Sequence, residues 1–199
     1  MRQKIINTST DLFLNLGFKS VTMDDIAAEL GMSKKTIYIY FENKEKLVEA
    51  TEKYFFKKIT DGIKDIKNNA TDPISELYDV KLYLMKVLKG EKTSPFYQLK
   101  KYYPLIYKDL KKRKFDFIVE SSTKSLEKGV KQGLFRENIN IELISRLYFN
   151  GMVGIKDPEI FDIGIFNPEI LMENYLEYHL RAIVTEKGLE KLKKFISIS

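Results

Sequence analysis

Apolar residues recur along this chain at three- and four-residue intervals, and capping residues or glycines stand where those runs start and stop. Ile5, Ile6, Ser9, Leu12, Phe13 and Leu16 trace one face of a first predicted helix, after which Gly17 is suited to a left-handed cap and Phe18 to folding back. Thr22 offers a hydroxyl N-cap with Asp25 three places on; Ile26, Ala27 and Leu30 then form a short stripe ended by Gly31. Ser33 caps a third short helix with Ile37 and Phe41 on one side, and Asn43 caps a fourth that runs from Leu47 into the sixties. Downstream, Asp72-Pro73, Ser94-Pro95 and Asn167-Pro168 each place a capping residue before a proline suited to the first helical position. Gly90, Gly133 and Gly188 read as helix stops, and Pro104 as a break between a short helix and a long one reaching about Gln132. A further helix is expected from about Asn140 to Met152, followed by a loop with Gly154, Pro158 and Gly164. Strand signals are nearly missing. The pattern predicts an all-α chain of about nine or ten helices, without internal repeats.

At 199 residues and 44% hydrophobic, the chain can bury one substantial core, or a small and a larger one. The lack of cysteine removes disulfides, thiolate nucleophiles and zinc sites built on sulfur; no metal and no cofactor is expected. The start, Met1 to Ile6, runs straight into polar Asn7-Thr8, and no segment approaches the roughly 20 apolar residues of a membrane helix. A cytoplasmic protein with no membrane partner is therefore expected. The net charge of +6 is unevenly spread: residues 1–47 carry +1, residues 48–136 carry +8 and residues 137–199 carry −3. Bulk basicity is thus no argument for a DNA-binding N-terminus, and the case rests on individual groups.

Two short helices joined by Gly31-Met32-Ser33 meet the requirement of a helix-turn-helix, in which a short turn containing glycine lets the second helix cross the first steeply. If Ile26, Ala27, Leu30, Ile37 and Phe41 pack inward, Lys34, Lys35, Thr36, Tyr38 and Ile39 are left on or near the outer face, where they can reach a major groove. Lysine can donate to guanine, threonine can bond a base or press its methyl on thymine, and tyrosine hydroxyls donate to phosphates. On spacing alone, a helical bundle without a DNA partner fits as well.

The run Leu12-Phe13, Gly17-Phe18, Thr22, Ile26-Ala27, Leu30-Gly31, Ser33-Lys34, Thr36-Ile37-Tyr38, Tyr40-Phe41, Asn43-Lys44-Glu45 and Leu47 closely resembles the N-terminal signature of the tetracycline-repressor-like (TetR) family of transcription regulators. Gly133-Leu134-Phe135-Arg136 adds a smaller likeness. The resemblance implies an N-terminal three-helix DNA-binding domain with a helix-turn-helix at 1–47, followed by a C-terminal helical bundle at 48–199 for effector binding and dimerisation. It implies that the helix opened by Ser33 is the recognition helix, with Lys34, Lys35, Thr36 and Ile39 nearest the bases. Tyr38, Tyr40 and Lys44 would hold phosphates, and Thr22 would touch backbone through its hydroxyl or the amides it leaves free. Thr22 also reads as a plain N-cap, a role compatible with the first, Tyr40 as an aromatic packed under the helix, and Lys44 as a solvated charge, although the helix dipole disfavours it there. Thr8 and Ser9 stand where relatives usually carry alanine, Ile39 where an aromatic or histidine is common, and Lys35 where glycine often is. These departures predict an idiosyncratic operator preference.

Of the 25 aromatic residues, 20 lie after position 47. The resemblance implies an effector pocket among them, and Phe96, Tyr97, Tyr103, Tyr107 and Phe117 are its candidates because they flank the break at Pro104. Aromatics at helical spacing are more often core. In relatives the last two long helices pair between subunits, which would put Leu143, Leu147, Tyr148, Ile170, Tyr175 and Tyr178 at a dimer interface or in the subunit's own core. The implied partners are double-stranded operator DNA, a small-molecule effector and a second copy of the chain, since two recognition helices about one DNA turn apart read a palindrome. The run Lys108 to Lys114 is either a surface attractive to anions or a solvated helix face. An enzyme is disfavoured: His179 is the only histidine, in an amphipathic stretch, and there is no nucleophile elbow or phosphate-cradling glycine loop. A protein-interaction module without DNA binding is the remaining alternative.

Overall fold

A computed structural model describes residues 1–88, 95–157, 159–162 and 164–196, with only the backbone of Pro95 and Phe96. Ten helices occur among the described residues: α1 Arg2–Leu16, α2 Met23–Leu30, α3 Lys34–Tyr40, α4 Lys44–Asn69, α5 Pro73–Leu88, α6 Pro95–Tyr102, α7 Pro104–Lys131, α8 Ile141–Gly154, α9 Pro168–Ile183 and α10 Glu186–Ile196. The fold is all-α, with an N-terminal helix-turn-helix domain and a helical C-terminal part. Among the described residues no helix is long and apolar enough to cross a membrane. Capping accounts for most of the starts. Oδ1 of Asp72 accepts the amides of Ile74 and Ser75, that of Asn140 accepts Leu143, and that of Asn167 accepts Glu169 and Ile170. Pro104 separates α6 from α7 as its missing N–H requires. The expected cap at Ser94 and the features at Gly90 and Pro158 lie outside the described residues.

The helices gather into two compact units, one of residues 1–62 and 86–113, the other of residues 63–85 and 114–199. The first holds the helix-turn-helix. Its core joins Ile5, Phe13, Ile26, Ile37, Leu47 and Val48 to Leu99, Ile106 and Leu110 from α6 and the start of α7. Phe13 and Phe18 stack with centroids 5.1 Å apart, and Tyr103 meets Phe18 edge-on at 6.4 Å. Two expectations are corrected in this unit. Leu16 lies outside the core, more than half exposed. Gly17 has φ 93° and ψ 147°, a positive-φ extended conformation rather than the left-handed cap. The amide of Gln98 occupies the space a Cβ would need there, its Nε2 2.4 Å from the ideal Cβ position; a larger residue would have to push aside the end of that side chain, and the positive φ is what favours glycine.

The second unit is built around Ile74, Tyr78, Leu126, Phe135, Leu180, Ile183 and Leu192. A polar cluster is folded into it: Lys67 Nζ reaches Glu76 Oε1 at 2.5 Å, Ser125 Oγ at 2.5 Å and the Ser121 carbonyl at 2.9 Å. Gly188, expected to end a helix, instead sits in the first turn of α10. The chain at Leu134 passes so close that a Cβ at position 188 would fall 2.1 Å from the Leu134 carbonyl oxygen. Here glycine serves close packing and not termination. The same segment forms an isolated antiparallel bridge between Phe135 and Val184.

His179 lies inside this unit on α9, its ring centroid 4.8 Å from that of Tyr148 and 6.2 Å from that of Tyr175. Burial lowers its pKa to about 4. Between pH 6.5 and 4 the unfolded chain therefore binds a proton that the folded one refuses, so stability is complete above pH 6.5 and declines as the medium acidifies. Going from pH 7 to pH 5 should remove about 2 kcal/mol through this residue alone. Urea unfolding of the parent and of His179→Phe at both pH values checks this: the variant should lose less by about that amount, and equal losses refute the assignment.

Candidate nucleic-acid interface

The α2 start is set by a reciprocal cap. The Asp25 amide donates to Thr22 Oγ1 at 3.1 Å, while the Thr22 amide and hydroxyl donate to Asp25 Oδ2 at 2.7 and 2.8 Å. Those two bonds hold the Asp25 carboxyl below its ordinary pKa. Thr22 itself stays exposed. Gly31, at φ 63° and ψ 37°, takes the left-handed conformation that turns the chain out of α2. Ser33 then caps α3 by accepting the Thr36 amide at 3.1 Å, and its Oγ lies 2.9 Å from Thr36 Oγ1.

On α3 a fully buried Ile37, followed by a buried Phe41, anchors one side of the helix in the core. The opposite side is open, with Lys35 exposed and Ile39 74% exposed, and Tyr38 and Tyr40 on the flanks are also exposed. Lys35 and Ile39 are four apart, so they share one face of the helix. Lys34 Nζ pairs with Asp24 Oδ2 at 2.7 Å. An exposed pair of this kind, screened by solvent, adds little to stability, so a phosphate can readily replace the carboxylate. Lys44 is more committed. Its ammonium donates to the Lys19 carbonyl at 3.2 Å and sits 5.9 Å from the Phe13 ring centroid, and burial lowers its pKa.

Two features of this region carry no sequence signal. The Arg2 guanidinium stands over the Phe41 ring at 5.0 Å, tying the start of α1 to the end of α3. Gln98 Oε1 accepts the Lys19 amide at 3.2 Å, docking α6 on the turn between α1 and α2 across 79 positions of sequence.

The aromatics named as effector-pocket candidates are placed differently from one another. The Phe96 side chain lies outside the described residues. Tyr97 is exposed, Tyr103 and Tyr107 pack against the core of the first unit, and Phe117 is a half-buried residue of the second. A concavity of about 350 Å³ in the second unit is lined by Asp65, Ile66, Asn69, Ala70 and Asp79, none of them among these five. Of the dimer candidates, Leu143 and Leu147 on α8 and Ile170 and Tyr178 on α9 are exposed, Tyr178 by 73%. Tyr148 is buried within its own protomer, and the Tyr175 hydroxyl contacts the Leu147 and Tyr148 carbonyls at 3.3 and 3.0 Å. Among the described residues no group of His, Asp and Glu could hold a metal ion.

Residues 5–51 match the family described as "Bacterial regulatory proteins, tetR family". The chain is 31% identical over 164 residues to the uncharacterised HTH-type transcriptional regulator YvaF of Bacillus subtilis (strain 168), spanning 80% of this chain and 83% of that protein. It is 25% identical to the HTH-type transcriptional repressor KstR2 of Mycolicibacterium smegmatis, over 94% of this chain and 92% of the relative. A crystal structure of a transcriptional regulator from Cytophaga hutchinsonii superimposes with a TM-score of 0.71 at 22% identity, covering 92% of this chain and 98% of that one. That of a gamma-butyrolactone receptor, described as ArpA-like, gives 0.63 at 19% identity, over 94% and 89%. With its capped helix-turn-helix, its all-α architecture and relatives that span most of its length, the chain belongs to the TetR family of helix-turn-helix transcriptional regulators.

Proposed function

We propose that the protein is a repressor that binds a palindromic operator as a homodimer and leaves it when a small molecule binds, acting in the cytoplasm without catalysis. The observation that carries this reading is the sidedness of α3: Ile37 is sealed in the core while Lys35 and Ile39 stand open on a shared face. Lys34, Lys35, Thr36 and Ile39 read bases, and Thr22, Ser33, Tyr38, Tyr40 and Lys44 hold the phosphate backbone. Residues 1–47 carry that reading, and residues 48–199 carry effector binding and dimerisation. The exposed apolar side chains Leu143, Leu147, Ile170 and Tyr178 support pairing through α8 and α9. Repression is supported by the likeness to KstR2, and a small-molecule effector by the likeness to a gamma-butyrolactone receptor. The effector acts by stabilising a subunit geometry in which the recognition helices are misspaced for DNA, so ligand and operator oppose each other.

A gel-shift titration with DNA from upstream of the protein's own gene tests the proposal. Sequence-selective, salt-sensitive retardation is expected. Lys35→Ala should weaken specific binding by about 1–3 kcal/mol and relax preference at one base pair per half-site, leaving non-specific binding nearly unchanged. Retardation that ignores sequence, or a variant with the parent's preference, overturns the reading and favours a protein-interaction module.

A further inference from the structure

The chain's positive charge is segregated by packing in a way its linear order hides. Residues 1–62 and 86–113, the unit that holds the helix-turn-helix, contain 19 Lys and Arg against 11 Asp and Glu; all other residues contain 15 against 17. The DNA-binding unit is thus +8 and the rest −2. Residues 86–113, far from the helix-turn-helix in sequence, supply most of the excess.

Part of that charge sits beside the phosphate-holding groups. The Lys19 peptide is gripped on both sides: its amide donates to Gln98 of α6, and its carbonyl accepts the Lys44 ammonium. Its side chain turns to α6, where the Lys19 ammonium lies 5.0 Å from the Tyr102 ring centroid and the Lys101 ammonium lies 5.5 Å from the same centroid. Lys101 also stands 5.8 Å from the Tyr97 ring centroid. Neither ammonium has a carboxylate within 4 Å among the described residues, and Lys100 next to them is exposed and likewise without one. The helix dipole accounts for lysines in the last turn of α6. It does not account for a second cation, Lys19, brought from another element to the same ring. Two positive charges gathered at one exposed ring raise the local attraction for an anion.

We infer that Lys19 and Lys101, seated on Tyr102 by the docking of α6, form an additional phosphate-contacting cluster that extends the operator footprint beyond the contacts of α2, α3 and Lys44. The occupant is the duplex backbone flanking each half-site. Charge complementarity and the Lys44 bond to Lys19, which makes the cluster continuous with the proposed DNA face, both point there. The inference rests on the operator-binding reading above, yet it concerns affinity and salt dependence and not base preference.

The test is the salt dependence of binding by the full-length protein to an operator with long flanks. Each phosphate neutralised contributes about 0.9 to the slope of log affinity against log salt concentration. Lys19→Gln/Lys101→Gln should reduce the magnitude of that slope by about 1–2 while keeping the parent's sequence preference and thermal unfolding temperature. A charge-matched control in the second unit, Lys131→Gln/Lys194→Gln, should keep the parent's slope. A folded double variant with an unchanged slope overturns the inference, as does an equal loss in the control. So does a variant altered only in its binding of inorganic phosphate, which would make the cluster a small-anion site. If Lys35→Ala fails to change base preference while Lys19→Gln/Lys101→Gln still lowers the slope, the recognition assignment fails and the cluster stands.

Discussion

Glu76→Ala is expected to destabilise the protein by about 3–5 kcal/mol, because it strands a charge that the fold has already taken out of water. Glu76 is almost fully buried in the second unit and bonded by Lys67 and Ser125, and the Lys67 side chain is itself only 17% exposed. Removing the carboxylate leaves the Lys67 ammonium with a hydroxyl and a carbonyl but no opposite charge. The loss is therefore the cost of an uncompensated buried cation and not the net worth of the pair. It follows that Lys67→Met/Glu76→Leu, which removes both charges, should recover most of the stability. Urea denaturation at fixed protomer concentration measures all three proteins, because dimerisation would make any comparison across concentrations misleading. A single variant as stable as the parent, or a double variant no better than the single, contradicts the account.

Leu99→Ala should cost about 2–5 kcal/mol, the range for emptying a buried leucine site. Leu99 belongs to α6, yet it is 2% exposed within the core shared by Phe13, Ile26 and Val48. Lys100→Ala, the next residue on the same helix and exposed, should stay within about 0.5 kcal/mol of the parent. The contrast is read from the two denaturation midpoints. Similar midpoints for the two variants would mean that α6 does not complete the core of the DNA-binding unit.

How far the sequence foretold this molecule depends on the range of each interaction. The helix-turn-helix was legible because its determinants are local: Thr22 with Asp25, Ser33 with Thr36 and Asn43 with Lys46 each act across three residues. The inward set of Ile26, Ala27, Leu30, Ile37 and Phe41 followed from helical periodicity and is buried as expected. What escaped was set by chain segments far apart in sequence. Gly188 looks like a helix stop until Leu134 is seen against it, and Gly17 like an ordinary cap until Gln98 fills its missing side chain. The charge count along the chain placed the basic residues outside the N-terminal segment, and only packing shows that many of them return to it. Aromatics around Pro104 had no local feature to separate a pocket wall from a core residue, since both demand the same apolar surface at the same spacing.

A practical consequence follows from the discontinuous make-up of the first unit. Transplanting residues 1–47 alone into another regulator, to transfer operator choice, would leave Phe18 without Tyr103 and the Lys19 amide without Gln98. The graft would carry α3 and discard the brace behind it. A working exchange has to move two stretches of chain together, with α6 and the opening turns of α7 travelling alongside the N-terminal helices.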